Sequence, residues 1–134
     1  MFRGFFSRKN APLTGAPAVR RLKTYSSQSG YVYQYYYEGS RPYATASERG
    51  TEFVFNVTAD RKSWRASGVF VSDHAVCAWE ETHARPLVSA ERYAIAKMAL
   101  FQAFDERSAP AQMQEAVRVR NADVEAILET LGLE

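Results

Sequence analysis

Residues 52–71, EFVFNVTADRKSWRASGVFV, decide the fold. Two runs, Glu52 to Ala59 and Ser63 to Val71, alternate apolar and polar side chains on either side of Asp60-Arg61-Lys62. Period-two alternation puts successive side chains on opposite faces of an extended chain, and a polar break between two such runs predicts an antiparallel hairpin. With a tight connection, Val57 falls opposite Trp64, Phe55 opposite Ala66 and Phe53 opposite Gly68, so large residues meet small ones on one face. The other face collects Thr58 with Ser63, Asn56 with Arg65 and Val54 with Ser67, as expected when only one side of a sheet is covered.

Working back, Tyr31, Tyr33, Tyr35 and Tyr37 alternate with Val32, Gln34, Tyr36 and Glu38, residue types suited to a pleated surface, and predict the first strand. Gly39 to Gly50 (GSRPYATASERG) reads as a connecting loop, at a length that is often functional or mobile. Working forward, neither period dominates from Ser72 to Leu87. The reading there is a bend and a fourth extended segment through Val76 to Glu81, ended by Pro86. Ser89 reads as the N-cap of a helix from Ala90 to Asp105, with Glu91 in its first turn and Tyr93, Ala96, Leu100, Ala103 and Phe104 as its apolar stripe. Ser108-Ala109-Pro110 can open a short helix while Val117 to Arg120 alternates like a strand, so the boundary within 108–120 stays open. Asn121 reads as the cap of a last helix carrying Val124, Ile127, Leu128 and Leu131 on one face, with Gly132 as its stop.

The fold class is therefore α+β, a three- or four-stranded, mainly antiparallel sheet with C-terminal helices packed on one face. Its expected core is Phe53, Phe55, Val57, Trp64, Phe70, Tyr93, Leu100, Phe104, Ile127, Leu128 and Leu131, with Val54 outside it. A chain of 134 residues suffices for one such core, and 46% hydrophobic with 24% charged residues is ordinary globular composition. Three strands before a helix is also the order in the double-stranded RNA-binding domain. That family's N-terminal helix and the lysine-rich start of its last helix have no counterpart here, where Ser89-Ala90-Glu91-Arg92 stands, and element order alone implies no function.

Charge divides the chain. Residues 1–24 hold Arg3, Arg8, Lys9, Arg20, Arg21 and Lys23 and no acid, whereas the other 110 residues carry 11 basic and 15 acidic groups. Residues 1–24, with Pro12, Gly15 and Pro17, read as a basic flexible arm, and residues 25–134 as a single domain. Phe2, Phe5 and Phe6 are expected to pack back on that domain rather than dip into a lipid surface beside Arg3, Arg8 and Lys9, since one short apolar cluster with a few charges gives weak membrane affinity. Cys77 is the only cysteine, which fits a reducing compartment. No apolar stretch approaches the roughly 20 residues of a membrane span, and none follows Arg3, Arg8 and Lys9, so a soluble cytoplasmic protein is expected. Asn56-Val57-Thr58 matches a glycosylation acceptor but is read as strand.

The chain contains no phosphate-cradling glycine loop, no G-x-S-x-G and no H-E-x-x-H, and neither a cofactor nor a catalytic residue is expected. His74, Cys77 and His83 stand beside Asp73, Glu80 and Glu81, but His-x2-Cys-x5-His is not a usual structural zinc spacing, so no metal is expected. An enzyme or metalloprotein built on those three residues ranks third among the functional readings. Seven of the eight tyrosines lie between Tyr25 and Tyr43. Tyr31, Tyr33, Tyr35 and Tyr37 form a row flanked by Arg20, Arg21, Lys23 and Arg41, and these eight are the candidate binding residues. A row of rings beside cations could stack a nucleic-acid strand, or the rings could pack beneath the helices. The leading expectation is a non-enzymatic interaction module that docks a protein partner through a sheet edge, the Gly39 to Gly50 loop or the arm. Nucleic-acid binding is the alternative, and an open sheet edge also allows a homo-oligomer.

Overall fold

A computed structural model describes residues 11–132, so the expectation placed on Phe2, Phe5 and Phe6 lies outside the described residues. Five strands lie side by side in chain order: β1 (Lys23–Ser26), β2 (Val32–Ala44), β3 (Arg49–Thr58), β4 (Arg65–Ser72) and β5 (Val117–Val119). The first four are antiparallel neighbours, and β5 joins β4 in parallel. Helices α1 (Asp73–His83) and α2 (Ser89–Glu106) and a 3₁₀ turn (Pro110–Gln114) fill the β4–β5 crossover, and α3 (Asn121–Thr130) closes the described chain. The α+β class holds, with a five-stranded mixed sheet in place of three or four antiparallel strands. The two extra strands have only four and three residues, too few for a pattern to declare itself.

The predicted hairpin exists, with its register shifted by one. Val57 pairs with Arg65, Phe55 with Ser67 and Phe53 with Val69. The turn causes the shift. The Asp60 carboxylate accepts from the amides of Lys62 and Ser63 at 2.8 Å each, and the Thr58 hydroxyl accepts from Arg61 N at 3.0 Å. This local network holds Arg61 at φ 65° and leaves six residues between the strands. A one-residue shift exchanges the faces of β4. Ser67, Val69 and Val71 therefore join Phe53, Phe55 and Val57 under the helices, while Trp64 is 40% exposed on the far face beside the Tyr36 ring, 5.5 Å away. Phe70 is buried as expected, but beneath Tyr43 and the Arg118 guanidinium, with ring-centroid distances of 4.7 and 4.8 Å. Val54 is also buried, Tyr93 is only half-buried and Leu131 is exposed.

The expected Gly39 to Gly50 loop is strand for most of its length. β2 takes in a bulge at Glu38 and pairs with β3 as far as Ala44 opposite Arg49, leaving a turn tied by Thr45 N to Glu48 O at 2.8 Å. Proline inside a strand is tolerated on an edge that needs no donor. Ser40 exchanges both backbone bonds with Thr14 on the outer side of β2, so Pro42, two residues on, also turns its nitrogen to that side, beyond the reach of β1.

The expected extended segment through Val76 to Glu81 is helix α1. The Ser72 hydroxyl caps it by accepting from Ala75 N at 3.0 Å, and Ala75, Val76 and Trp79 recur at helical spacing to form its buried face. The two later helices start one residue earlier than expected. Glu91 reaches back to Val88 N at 3.0 Å and Asp123 to Arg120 N at 2.9 Å, so carboxylates inside the first turns do the capping expected of Ser89 and Asn121. The inner sheet face, α1, α2 and α3 enclose one core that includes Phe55, Leu100, Phe104, Met113, Ile127 and Leu128.

Phe55→Asp should abolish cooperative thermal unfolding, because it buries an unpaired carboxylate at a fully enclosed site. Trp64→Asp should cost no more than about 1 kcal/mol. Loss of cooperative melting in the Trp64 variant would restore the other register.

Candidate functional site

The described part of the arm, residues 11–22, forms a strap over β2 rather than a free tail. At one end Thr14 and Ser40 exchange two backbone hydrogen bonds of 2.8 Å, and Arg41 Nη1 donates to Ala11 O at 3.1 Å. There the Thr14 carbonyl lies 2.7 Å from where a Cβ would stand on Gly39, whose φ is +129°, so only glycine lets the strap this close. At the other end the strap becomes β1, with Lys23 opposite Tyr35. Thr14 and Lys23 are nine residues apart while their partners Ser40 and Tyr35 are five apart, so the strap must bow away from the sheet.

Under the bow lies a groove of about 600 Å³. Tyr35, Tyr37 and Phe53 form its floor, Pro17 and Val19 of the strap one wall, and Ser89, Ala90 and Tyr93 of α2 the other. Arg21 and Lys23 enter from the strap side and Lys97 from α2, and among the described residues no acidic side chain lines the groove. Among the described residues none of these three cations has a carboxylate within salt-bridge range. Of the other residues, 1–10 contain no acid and 133–134 contribute Glu134. Burial, and then the nearby Lys23 ammonium, hold Lys97 below its ordinary value. Burial pushes the Tyr35 phenol up to about 12, with Tyr93 adding to the effect. It also raises Tyr93, helped by Tyr37, and raises Tyr37 against the opposing pull of the Ser40 hydroxyl.

The eight residues singled out in the sequence are thus divided. Arg21, Lys23, Tyr35 and Tyr37 meet at the groove. Tyr33, 1% exposed, stacks on Phe104 with ring centroids 4.1 Å apart, so bases cannot reach it unless α2 is displaced, and the row offers no four-ring platform. Tyr31 is exposed at the hairpin end. Arg20 is paired with Glu38 at 2.9 Å on the far face, and Arg41 with Glu52 at 3.0 Å. The sequence reading missed Ser89, Ala90 and Lys97 as groove residues. The available signal was Lys97, a cation one turn beyond Tyr93 within the otherwise apolar stripe of α2.

The groups singled out for chemistry do not converge. His83 stacks on Trp79 at 4.3 Å and its Nε2 lies 2.9 Å from a Glu125 oxygen, while Cys77 is exposed on α1. Among the described residues no three His, Cys, Asp or Glu side chains are placed to share a metal ion. A smaller groove near His74 and Asn121 holds Arg118, already bound by both Glu48 oxygens at 2.6 Å.

The outer edge of β1 is the second feature of this region. Ser27 N donates to Tyr31 O at 2.9 Å, so by the alternation of an antiparallel ladder Tyr25 and Lys23 bond to β2 while Thr24 and Ser26 turn their backbone groups outward. Among the described residues no strand covers that edge. Comparison with known protein families, curated proteins and solved structures finds no match to this chain. No described helix is long and apolar enough to cross a membrane.

The Tyr35 phenol sets a pH dependence. Its pKa in the fold lies above the ordinary 10.0, so the stability it confers is complete below pH 10 and is lost as pH rises through about 12. Thermal melts across this range should show a fall that is shallower in Tyr35→Phe; equal slopes would refute the assignment.

Proposed function

We propose that the protein is a non-enzymatic interaction module that docks a protein partner by adding an extended segment of that partner to the outer edge of β1. The observation that carries this reading is the clustering of exposed large apolar side chains around an uncovered edge. Val19, Leu22, Tyr31 and Val32 all lie within fourteen residues of chain that bracket β1, whereas elsewhere the described residues expose only Trp64, Val88 and Leu131. Strand addition takes its affinity from main-chain hydrogen bonds and its specificity from side-chain contacts, and the outward groups of Thr24 and Ser26 with these flanking apolar residues supply both.

Charge selects the partner. Arg21 and Lys23 flank the edge without carboxylates of their own among the described residues, so an acidic segment is favoured. A second copy of β1 would bring the same cations and be disfavoured, which is one way an edge strand is kept from pairing with itself.

A fluorescein-labelled peptide of alternating glutamate and valine should bind the full chain in an anisotropy titration, more weakly at raised salt, while an alternating lysine–valine peptide should not. Thr24→Pro removes an outward donor without touching the bonds to β2 and should abolish binding while leaving the melting transition in place. Equal binding of the two peptides, undiminished binding to Thr24→Pro, or binding of a mixed-sequence single-stranded oligonucleotide instead would overturn the proposal.

A further inference from the structure

The groove under the strap calls for an occupant of its own, separate from the β1 edge. Its floor and walls are rings and aliphatic carbons, and its volume of about 600 Å³ falls within the range that holds small molecules. Cations meet at the same place from two directions, Arg21 and Lys23 from the strap and Lys97 from α2, with no acid among the lining residues. Lys97 is partly buried, which disfavours its charged form, while Arg21 and Lys23 stay exposed at the rim, so a ligand that brings negative charge to Lys97 offsets its desolvation.

Polar groups not used by the fold add to the case. The Tyr35 side chain, 4% exposed at the groove floor, makes no hydrogen bond to any described residue. The amides of Ser89 and Ala90, the first two of α2, have no acceptor among the described residues, whereas Glu91 N and Arg92 N both donate to Val88 O at 3.0 and 3.1 Å. The residues that carry these donors line the groove together with the cations, and among the described residues none of the lining side chains is an anion.

We propose that the groove is a binding site for a small amphipathic anion, a carboxylate or sulfonate on an aromatic or aliphatic body. The acidic head lies between Lys23 and Lys97, within reach of Arg21. The apolar body lies on Tyr35, Tyr37 and Phe53 against Tyr93. Residues 1–10 of the same chain make a poor occupant on charge alone, because Arg3, Arg8 and Lys9 accompany Phe2, Phe5 and Phe6 and would meet three further cations. Arg118 in the smaller groove, by contrast, already has its carboxylate in Glu48 and offers no such site.

Two dyes of nearly the same shape test this: 8-anilinonaphthalene-1-sulfonate, an anion, and N-phenyl-1-naphthylamine, which is uncharged. Both fluoresce on entering an apolar site. The full chain should bind the anion more tightly, and Lys97→Gln and Lys23→Gln should each weaken the anion by about tenfold while leaving the neutral dye unchanged. Ala90→Trp fills the groove from the exposed start of α2 and should abolish binding of both dyes, with thermal melts confirming that every variant folds. Equal affinity for the two dyes, or anion binding unaffected by both lysine changes, would overturn the anion assignment. Dye binding that survives Ala90→Trp would remove the site from the groove. Displacement of the anionic dye by the glutamate–valine peptide would return the groove to the protein partner; the Thr24→Pro experiment reads the edge alone, so the two proposals fail separately.

Discussion

The inner face of the sheet depends on a single aromatic stack. Phe101 and Phe104 of α2 lie against Tyr25, Tyr33 and Tyr35, with Tyr25 on Phe101 at 4.4 Å and Tyr33 on Phe104 at 4.1 Å. Rings bury more surface than aliphatic side chains and prefer defined geometries, so this stack fixes both the height and the direction of α2 across β1 and β2. Polar ties at its edge reinforce it. The Tyr25 hydroxyl donates to Asp105 at 2.8 Å, Gln28 N donates to the other oxygen of the same carboxylate at 2.9 Å, and the Ser29 hydroxyl donates to Phe104 O at 2.7 Å.

With α2 anchored by this stack and by Tyr93 on Tyr37, its exposed start at Ser89 and Ala90 faces the bowed strap, and the groove is the space between them. The same strap borders the groove and leads into the edge strand, so Arg21 and Lys23 bring positive charge to both places. Without Gly39 the strap could not lie down beside β2, and without its surplus of residues over β2 it would lie flat and fill the space. The groove thus follows from chain length and one permissive residue rather than from any recognisable motif.

The parts of this structure legible in the sequence are those with long, regular periodicity: the cores of β2, β3 and β4, the α2 stripe with Leu100 and Phe104, and the α3 face with Val124, Ile127 and Leu128. Besides the short strands β1 and β5 and the strand within Gly39 to Gly50, three features were not legible. The shifted hairpin register rests on Asp60 and Thr58 side chains bonding to turn amides, which alternation does not encode. Helix α1 does not declare itself because neither period dominates from Ser72 to Leu87, and of Val76, Cys77, Ala78 and Trp79 only Val76 and Trp79 are buried, spaced as a helix requires. The strap has no periodicity at all; tertiary contacts place it. For the candidate site, Tyr35, Tyr37, Arg21 and Lys23 stood out by type, but the contribution of α2 appeared only once the helix was set against the strand.

The parallel pairing of β5 with β4 has a consequence for the order of assembly. Val69 to Val71 must wait for Val117 to Val119, and the intervening residues include two full helices. Loop-closure entropy makes such non-local pairing slow relative to the hairpins that precede it. During synthesis from the N-terminus, the apolar outer edge of β4 therefore remains uncovered until residues 117–119 have emerged. In this interval the eight-residue β4, rather than the three-residue β5, forms that edge of the sheet, a longer template for unwanted strand pairing, and truncation before residue 117 would make that exposure permanent.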